Sequence, residues 1–567
     1  LRSLDLDRLL RLVRPRSSDL DWLRCSLRTR SLDLDRRPLD FDRLRSLDLE
    51  WDFDRLRRFD FDRLRSLDRL RPLDFERLLF LDRDLLLLAS RCRERLRSLD
   101  LLRLLRRSLD RLRLLRERLR ERLRSLERLL DQVSVAPKTR IAIGFGSCQD
   151  LIVQSSELFA HIDPPDDPQH IDVVETERDL QRVFAYYFRH GAAAERFVSN
   201  ATLFAELVKV AKSSSSAEYH IGGNAPLMAR RFALEGCEVL LGAHMSRKLR
   251  AELPKGVTVA GPEVAEDDIH LLLEYPAGER WGHLHSPRAN RFIIHNDHTN
   301  PKMAAIENFV PELEKFKPKL LVVSALQMMD NFPFEKGQRE KHVREVQALM
   351  KHMDRSVPLH FEMASYVDPT LLHELVEHVL PYSDSLGMNE QELPNLLSIL
   401  KYGNVSYVAD SYPRVATVLD AMRDIYELLK VNAPPKGSGK PGDEDGRRPL
   451  TRLHIHTLAF QAILIANDSP WKNSLAAAAK AALTAHRYTC GSHDIDTAHA
   501  RVIMDDSFTT SRGTGARRIP FNNNRPVACW QEQDFEICVA PVLVCTKVLH
   551  TGGGGDNVSA AGLVLQV

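Results

Sequence analysis

The chain has 567 residues, with 81 lysines and arginines against 79 aspartates and glutamates, a formal net charge of +2 and 43% hydrophobic residues. This balance gives no field that would favour nucleic acid or an anionic membrane, so we expect no nucleic-acid partner. The length suits several domains or one large α/β unit with additions, and the hydrophobic fraction suffices for a sizeable core.

Residues 1–131 form a low-complexity extension rich in Leu, Arg and Asp. Up to about residue 80, the apolar spacing fits neither the period of a helix nor the alternation of a strand. From Leu85 to Leu130 the leucines recur at threes and fours, which predicts one or two exposed helices or a coiled coil. We interpret the extension as poorly ordered or helical, and an oligomerisation stalk is the alternative. Its run Leu85–Ala89 is far shorter than the roughly 20 apolar residues that span a bilayer, so we expect no membrane-spanning segment.

The globular part begins with Thr139–Gly146, an apolar run that predicts a buried strand leading into a loop. Downstream, apolar runs alternate with amphipathic stretches, which predicts an α/β fold with a mostly parallel sheet between helices. In such sheets ligands bind beyond the carboxyl ends of the strands. Residues 433–448 are rich in Pro and Gly and are predicted to be a disordered loop. The strand candidates are Glu238–Gly242, Ile269–Leu273, Lys319–Ser324, Val357–Glu362 and Leu453–His456, and two helix candidates are Met303–Phe316 and Gln338–Met353.

The eight cysteines include no Cys-x-x-Cys pair, which argues against a zinc site. Cys529, Cys538 and Cys545 lie close enough in sequence for a disulfide. Between a disulfide and buried free thiols, we favour free thiols.

The strongest chemical signal lies near the C-terminal end. Val539–Thr546 is predicted to be a strand, and His550–Asp556 is a glycine-rich loop that leads into a helix from Asn557. Glycines at a helix N-terminus expose N–H groups that hold phosphate, and an acid in the first turn accepts a proton from an attacking alcohol. Asp556 is the candidate base, with helix capping as the alternative interpretation. The candidate phosphate-binding amides are those of Gly553, Gly554 and Gly555.

The segment Thr551-Gly-Gly-Gly-Gly-Asp556, followed by a helix of small residues, resembles the signature of the ribokinase-like kinases. Within them it is most similar to the animal-type ADP-dependent glucokinases, whose motif is Thr-Val-Gly-x-Gly-Asp. The additional glycines at 552 and 554 add backbone freedom, which costs entropy when the loop becomes ordered. That departure from the family motif predicts lower activity.

Two further motifs resemble the metal-binding parts of this family. His360-Phe-Glu362 ends a predicted strand like the family's His-x-Glu, and Asn389-Glu-Gln-Glu392 matches its Asn-x-x-Glu. The resemblance implies one Mg²⁺ per active site, held by Glu362, Glu392 and Asp556, since separated carboxylates suit this ion, in part through water. Without the resemblance, Glu392 would be interpreted as an exposed helix residue.

Three segments resemble the glucose-binding parts of the family. Asp150 follows the first predicted strand, and Glu195 lies in the segment Gly191–Phe197. The third segment is Gly222-Gly-Asn-Ala225, in which Gly222, Gly223 and Asn224 would approach the sugar. Taken singly, these residues would be interpreted as a cap and a turn.

Arg288-Ala-Asn-Arg291 matches a segment in which the family uses an arginine to neutralise the transferring phosphate. A guanidinium binds phosphate oxygens bidentately. We choose Arg291 over Arg288, and a surface salt bridge is the alternative. His454 and His456 share one face of a predicted strand that resembles the one before the family's nucleotide site, but without a third ligand a structural or substrate-lining role is favoured.

The resemblance covers most of residues 139–567 and implies a kinase domain over 132–567. This domain would have a ribokinase-like doubly wound sheet and a smaller lid from segments within about 155–215 and 260–300. The implied reaction converts glucose and ADP to glucose 6-phosphate and AMP, as a step of glycolysis. We expect the protein to be a monomer. Animal members lie in the lumen of the endoplasmic reticulum, so we expect the secretory pathway, although no signal segment is visible.

The sequence leaves three alternatives open. The first is an ATP-dependent ribokinase-like sugar kinase. The second is a catalytically weak sugar- or nucleotide-binding protein with the same fold. The third is a structural protein that acts through its repetitive N-terminal region.

Overall fold

The computed structural model describes residues 99–130, 133, 135, 138–405, 413–430, 446–503, 508–520 and 522–567. The chain divides into the units Leu1–Asp74 and Phe75–Val567, and every described residue belongs to the second. The predictions for residues 1–98, and for most of the loop 433–448, therefore lie outside the described residues. Within the described part, no helix combines the length and apolar character needed to cross a bilayer.

Helices and strands alternate along most of the described chain. The helices are α1 Leu99–Leu130, α2 Ser155–Leu158, α3 Glu177–His190, α4 Ala201–Lys212, α5 Asn224–Leu234, α6 Arg247–Ala251, α7 Ile306–Phe316, α8 Gln338–His352, α9 Pro369–His378, α10 Glu392–Tyr402, α11 Val415–Lys430, α12 Ser474–Thr489 and α13 Gly554–Val564. The first eleven strands are β1 Arg140–Gly144, β2 Cys148–Gln154, β3 Val173–Val174, β4 Ala194–Val198, β5 Glu218–Gly222, β6 Glu238–Gly242, β7 Met245–Ser246, β8 Val257–Ala260, β9 Glu263–Val264, β10 Ile269–Tyr275 and β11 Arg280–Trp281. The others are β12 Leu284–His285, β13 Asn290–His295, β14 Leu320–Val323, β15 Leu359–Glu362, β16 Ser385–Asn389, β17 Arg452–His456, β18 Phe460–Ala466, β19 Ala500–Arg501, β20 Ala528–Gln531, β21 Phe535–Pro541 and β22 Val544–Cys545.

The main sheet has the strand order β20-β21-β18-β17-β16-β15-β14-β1-β6-β8. The strands from β17 to β8 are parallel neighbours, and β18, β21 and β20 continue the sheet in antiparallel pairs. From β1 the chain builds one half of the sheet through β6 and β8 and the other half through β14 to β17. This reversal of direction is a topological switch point, where α/β sheets bind ligands beyond the carboxyl ends of the strands.

Helices cover both faces of the main sheet, as the sequence predicts. Helices α7 to α11 contribute to the apolar core on one face, and α5, α6, α12 and α13 contribute to the core on the other. A parallel strand buried on both faces needs apolar residues throughout, and β14 with its four buried residues Leu-Leu-Val-Val is an example. The doubly wound, ribokinase-like fold class is therefore confirmed.

A second sheet has the order β3-β4-β13-β10-β2-β5. Along β10, Leu271, Leu273 and Tyr275 join the apolar core that includes α3, whereas His270 and Leu272 on the opposite face line a cleft. The predicted lid segments, 155–215 and 260–300, supply most of this sheet, and β2 and β5 lie just outside them. Its movement as a lid stays a prediction.

Helix α1 confirms the helical pattern from Leu99 to Leu130, but its last turns are not exposed. Leu126 is fully buried in the core that includes α12. Glu127 pairs with Arg487 at 3.0 Å, and Arg122 donates to Asn523 at 2.8 Å. The expectation of a wholly exposed helix is wrong at this end, because its leucines have an apolar surface to pack against.

Two other expectations from the sequence are wrong. The predicted strand Val539–Thr546 is split, since β21 ends at Pro541 and β22 pairs with β19 outside the main sheet. Cys529, Cys538 and Cys545 were expected to be free thiols. They form two disulfides instead, Cys529–Cys538 and Cys490–Cys545. The first joins facing residues of β20 and β21, and the second needs a cysteine from the end of α12 that lies 55 residues away in sequence.

Candidate active site

A cleft of about 160 Å³ lies at the switch point of the main sheet. The loops that follow β1, β14, β15 and β16 form one side of it, and the second sheet and the glycine-rich loop before α13 form the rest. Residues far apart in sequence meet here because carboxyl ends of parallel strands share one edge. The predicted site residues that line the cleft are Asp150, Glu195, Gly223, Asn224, Arg291, Glu392, Gly553 and Asp556.

Asp556 occupies the first turn of α13 and is buried. Its Oδ1 accepts a hydrogen bond from Asn224 Nδ2 at 2.9 Å. Asn224 is held in this orientation because its Oδ1 accepts from Gln327 Nε2 at 2.8 Å. Burial raises the pKa of Asp556 to about 7, and the nearby Glu362 carboxylate acts in the same direction. A carboxyl group with such a pKa is suited to accept a proton near neutral pH.

The interpretation of Asp556 as a simple helix cap does not agree with this geometry. The N-cap of α13 is Gly553, which has a positive φ of 68° and no side chain to cap the helix. Thr551 anchors the preceding loop by donating through its backbone N–H and its hydroxyl to Glu274 Oε1 on β10. From the other side, Tyr488 Oη donates to the Gly552 carbonyl at 2.7 Å. The glycine-rich loop is thus tied to both the second sheet and α12.

The predicted metal residues Glu362 and Glu392 differ in their exposure to the cleft. Glu362 is buried beneath it, where its oxygens meet His360 Nε2 at 2.8 Å, Ser559 Oγ at 2.6 Å and His456 Nε2 at 3.4 Å. Burial alone would raise the pKa of Glu362, but His360 and His456 hold it well below its ordinary value. Glu392 lines the cleft, and burial raises its pKa to about 8, with His456 opposing and Glu362 adding to that rise.

The donors of this predicted set fit a hard divalent cation. All are carboxylate oxygens, and a cation would offset the charge that Asp556 and Glu392 carry in a buried setting. Within the described part of the chain, however, these carboxylates do not form a group of three with all ligand atoms within 4.8 Å of one another. A cation here would therefore be reached by part of the set through water.

On the side of the cleft that the sequence predicts to bind sugar, glycines allow the backbone to approach Asp150. A Cβ atom on Gly222 would lie 1.9 Å from Asp150 Oδ1, and one on Gly223, where φ is 85°, would lie 2.5 Å from the Gly146 carbonyl oxygen. Gly222 therefore packs against the Asp150 carboxylate, which lines the cleft, and does not line the cleft itself. Burial raises the pKa of Asp150 to about 6, and the positive charge of His270 opposes that rise.

His270 belongs to a buried network that the sequence motifs do not indicate. Its Nε2 meets the two carboxylate oxygens of Asp297 at 3.0 and 3.1 Å, and its Nδ1 lies 3.5 Å from Glu195 Oε1. Asp297 also accepts from Asn300 Nδ2 at 2.6 Å, and Asn300 is paired in both directions with the backbone of Ser147. The network thus joins the loop after β1 to the wall of the cleft that holds Glu195 and His270.

The charges of this network stabilise each other. Burial alone would lower the pKa of His270, but Asp297 outweighs it, with help from Glu195 and Asp150, and raises this pKa to about 10. Burial alone would likewise raise the pKa of Asp297, but His270 and His295 hold it well below its ordinary value. An imidazolium therefore faces Asp150 and Glu195 at neutral pH.

Replacing Asp297 with asparagine is expected to flatten the pH dependence of stability on the alkaline side. His270 has a pKa of about 10 in the folded protein against an ordinary value of 6.5. Its stabilising contribution is complete below pH 6.5 and is lost as the pH rises towards 10. The variant lacks this contribution, so it should be less stable than the wild type at about pH 6 and should lose less stability between about pH 6 and pH 9.

Thermal melts over this pH range measure the difference, with the exposed Asp494→Asn variant as control. Parallel curves for wild type and the Asp297 variant would show that the carboxylate does not hold the imidazolium.

Arg291 and Arg288 differ in their surroundings. Arg291 lines the cleft, and its buried Nε has no hydrogen-bond partner among the described residues. Arg288 instead donates to the Gly191 carbonyl at 2.6 Å and lies 3.5 Å from Glu390 Oε1. Arg291 is thus available to an anion in the cleft, and Arg288 is engaged in a contact between the second sheet and the loop after β16.

His454 and His456 are buried and have packing roles beside helix α13. A Cβ on Gly555 would lie 2.9 Å from the His456 ring, and one on Gly562 would lie 3.1 Å from the His454 ring. These two glycines therefore let the helix approach the sheet closely. Gly554 and Gly555, predicted to bind phosphate, do not line the cleft, whereas Gly552 and Gly553 do.

A cleft at the switch point of a doubly wound sheet, with a glycine loop and an acid at a helix N-terminus, agrees with the sugar kinase that the sequence motifs predict. Comparison with known proteins gives the family. The conserved region of the ADP-specific phosphofructokinase/glucokinase family matches residues 139–565. The chain belongs to this family and is a phosphotransferase that acts on an alcohol group.

Two animal relatives support the same assignment. The chain is 35% identical over 430 residues to the ADP-dependent glucokinase of Bos taurus, covering 75% of this chain and 84% of the relative. It is 30% identical over 435 residues to the probable ADP-dependent glucokinase of Caenorhabditis elegans, again covering 75% of this chain and 84% of the relative.

Solved structures show the same fold at low identity. An ADP-dependent kinase in complex with fructose 6-phosphate and ADPβS has a TM-score of 0.54 at 16% identity, covering 79% of this chain and 97% of the other. A hypothetical ADP-dependent phosphofructokinase from Pyrococcus horikoshii has a TM-score of 0.51 at 17% identity, covering 76% of this chain and 98% of the other.

Proposed function

We propose that the chain transfers the β-phosphate of ADP to the 6-hydroxyl of D-glucose, releasing glucose 6-phosphate and AMP as a step of glycolysis. The observation that carries this proposal is the position of Asp556. It lies in the first turn of α13, has a pKa of about 7 and faces a cleft whose other wall holds Asp150 and Glu195. The relatives named as ADP-dependent glucokinases support ADP as donor and glucose as acceptor.

Each side chain has a defined task in this reaction. Asp150, Glu195 and Asn224 bind sugar hydroxyls, with Gly222 and Gly223 allowing the close approach. Asp556 takes the proton of the 6-hydroxyl, whose oxygen bonds to the β-phosphorus as the bond from that phosphorus to the bridging oxygen breaks and AMP leaves. The backbone amide of Gly553, which lines the cleft, donates to the phosphate oxygens, with Gly554 and Gly555 behind it in the first turn of α13, and Arg291 supplies positive charge.

Mg²⁺, when bound, would neutralise charge on the phosphates. Glu392 and Asp556 from the cleft, with Glu362 beneath, would hold it. Glu362 also fixes His456 and the Ser559 hydroxyl, so it orders the base of the cleft whether or not a cation is present. Closure of the second sheet over the cleft would exclude water from the reaction.

The direct test is product analysis with a hexose panel. With ADP, Mg²⁺ and glucose, we expect equal amounts of AMP and glucose 6-phosphate, and no product after chelation of the metal. Formation of ADP from ATP, without AMP from ADP, would instead identify the ATP-dependent sugar kinase. Glucosamine in the same panel measures sugar preference.

One observation favours a second candidate, a weak catalyst that binds sugar and nucleotide. The loop Thr551–Asp556 has four consecutive glycines. Their backbone freedom raises the entropy cost of ordering the loop around phosphate. Saturable glucose binding by calorimetry, without turnover in the product assay, would support this candidate.

We also propose that the chain works in an oxidising compartment, the lumen of the endoplasmic reticulum or another part of the secretory pathway. The disulfides Cys490–Cys545 and Cys529–Cys538 support this, since such bonds persist where thiols are not kept reduced. Reduction is expected to lower the melting temperature, because a disulfide contributes about 2 to 4 kcal/mol of stability. An unchanged melt after reduction, verified by thiol titration, would remove this support.

A further inference from the structure

A second cavity, of about 260 Å³, lies on the face of the second sheet that is turned away from the active-site cleft. It is bounded by α2, by α3 and by the hairpin of β11 and β12. None of its lining residues lines the cleft. The cavity is therefore a separate site from the cleft of the proposed sugar kinase reaction.

Four aromatic rings form most of the apolar lining, from Phe159, Phe184, Phe188 and Trp281. Phe159 stacks on Phe184 with ring centroids 4.6 Å apart and on Trp281 with centroids 4.9 Å apart. The indole N–H of Trp281 is already used, since it donates to the Ile162 carbonyl at 2.6 Å. These rings thus support one another and offer an occupant π-faces and apolar contact, with no free indole donor.

One carboxylate completes the lining. Glu279 Oε2 is buried and has no hydrogen-bond partner among the described residues. Burial raises the pKa of Glu279, and hydrogen bonds from the hydroxyls of Ser156 and Ser155, which also line the cavity, oppose that rise. The other charged lining residues, Asp163 and Arg280, are exposed at the solvent side. A carboxylate can accept about four hydrogen bonds, so Glu279 has room for a further donor from within the cavity, at its buried Oε2.

We propose that this cavity binds a small organic primary amine in its ammonium form. The ammonium group would donate to Glu279 Oε2 and lie against the aromatic rings, which attract cations, while its hydrocarbon part fills the apolar space. A quaternary ammonium has the charge but no N–H to give to Oε2. A neutral alcohol has a donor but no charge to match the carboxylate. An anion would be repelled by it.

The choice of probes is set by this chemistry. Propylamine carries the ammonium, 1-butanol has a similar size without the charge, and tetramethylammonium has the charge without a donor. Binding is measured by calorimetry on the full chain, with no sugar or nucleotide present. We expect propylamine to bind saturably with a Kd of about 1 mM, and the other two to bind at least about tenfold more weakly.

Two substitutions in the cavity test whether propylamine binds there. Glu279→Gln keeps the size of the side chain and should weaken propylamine binding by about ten- to a hundredfold. Ala160→Phe should fill the cavity and block binding without altering Glu279. Glu206→Gln, at an exposed position of α4, is the matched control and should bind as the wild type does. Melting temperatures verify that each variant is folded.

The proposal is overturned if propylamine shows no saturable binding up to about 50 mM, well above the expected Kd. Equal binding of tetramethylammonium would also overturn it, because Glu279 would then not act as acceptor. Unchanged affinity in the folded Glu279→Gln variant would do the same.

Discussion

Replacing Asp556 with asparagine is expected to lower turnover by about a hundred- to ten-thousandfold, the usual contribution of a positioned general base. Asparagine keeps the shape of the side chain and an oxygen that accepts from Asn224, as Asp556 does now at 2.9 Å. It cannot, however, take the proton of the sugar hydroxyl. The loss should therefore fall on kcat, while glucose affinity changes little because Asp150 and Glu195 are untouched.

Steady-state kinetics for turnover and calorimetry for glucose separate these effects. Exposed Asp494→Asn serves as the control and should keep full activity. If the Asp556 variant retains its turnover, Asp556 is not the base. If it loses glucose binding as strongly as turnover, its role lies in the sugar pocket and not in proton transfer.

The outline of the fold is largely predictable from this sequence because its strands are buried on both faces. Apolar runs such as Glu238–Gly242 and Lys319–Ser324 are short, continuous and separated by amphipathic helices, which is the pattern of a parallel sheet between helices. The prediction was wrong at Val539–Thr546, where the apolar run continues past the strand into a segment that pairs elsewhere. In this segment the apolar residues indicate that the chain is buried, but they do not indicate where the strand ends.

The site was predictable only as far as motifs extend. Asp150 lies in β2, a few residues beyond the end of β1, and Asn224 and Asp556 lie in the first turns of helices that follow glycines; the strand order brings all three to one cleft. The contacts among side chains have no local signal. His270 and Asp297 are separated by 27 positions in sequence, so nothing in either neighbourhood indicates their pairing. Tyr488 reaches Gly552 from near the end of an ordinary amphipathic helix.

The burial of the predicted metal residues could not be predicted from the sequence either. The motif around Glu362 does not reveal that its oxygens are engaged by His360, Ser559 and His456 below the cleft. Nor does the family motif explain the additional glycines of this chain, at 552 and 554. Their effect depends on the space around each Cα, which differs from one glycine to the next.

The adjacent glycines Gly553 and Gly554 should respond in opposite ways to alanine. At Gly553 φ is 68°, and a Cβ would lie 2.6 Å from Leu227 Cδ1 and 2.9 Å from Tyr488 Oη. Gly553→Ala should therefore destabilise the fold by about 1 to 2 kcal/mol and displace the loop, lowering turnover by about a hundredfold. At Gly554 the nearest neighbour of a Cβ is Tyr488 Cδ1 at 3.9 Å, an ordinary contact. Gly554→Ala should stabilise by about 0.5 to 1 kcal/mol, because it reduces the freedom of the unfolded chain.

Melting temperatures and kinetics on the two variants test this contrast, each variant serving as the other's control for the loss of one glycine. If Gly554→Ala also raises turnover, the backbone freedom of the four-glycine loop limits the rate for an entropic reason. If Gly553→Ala keeps full activity, the loop does not need its left-handed residue to present amides to phosphate. The anion cradle would then have to be formed elsewhere in the cleft, and Asp556 would act without it.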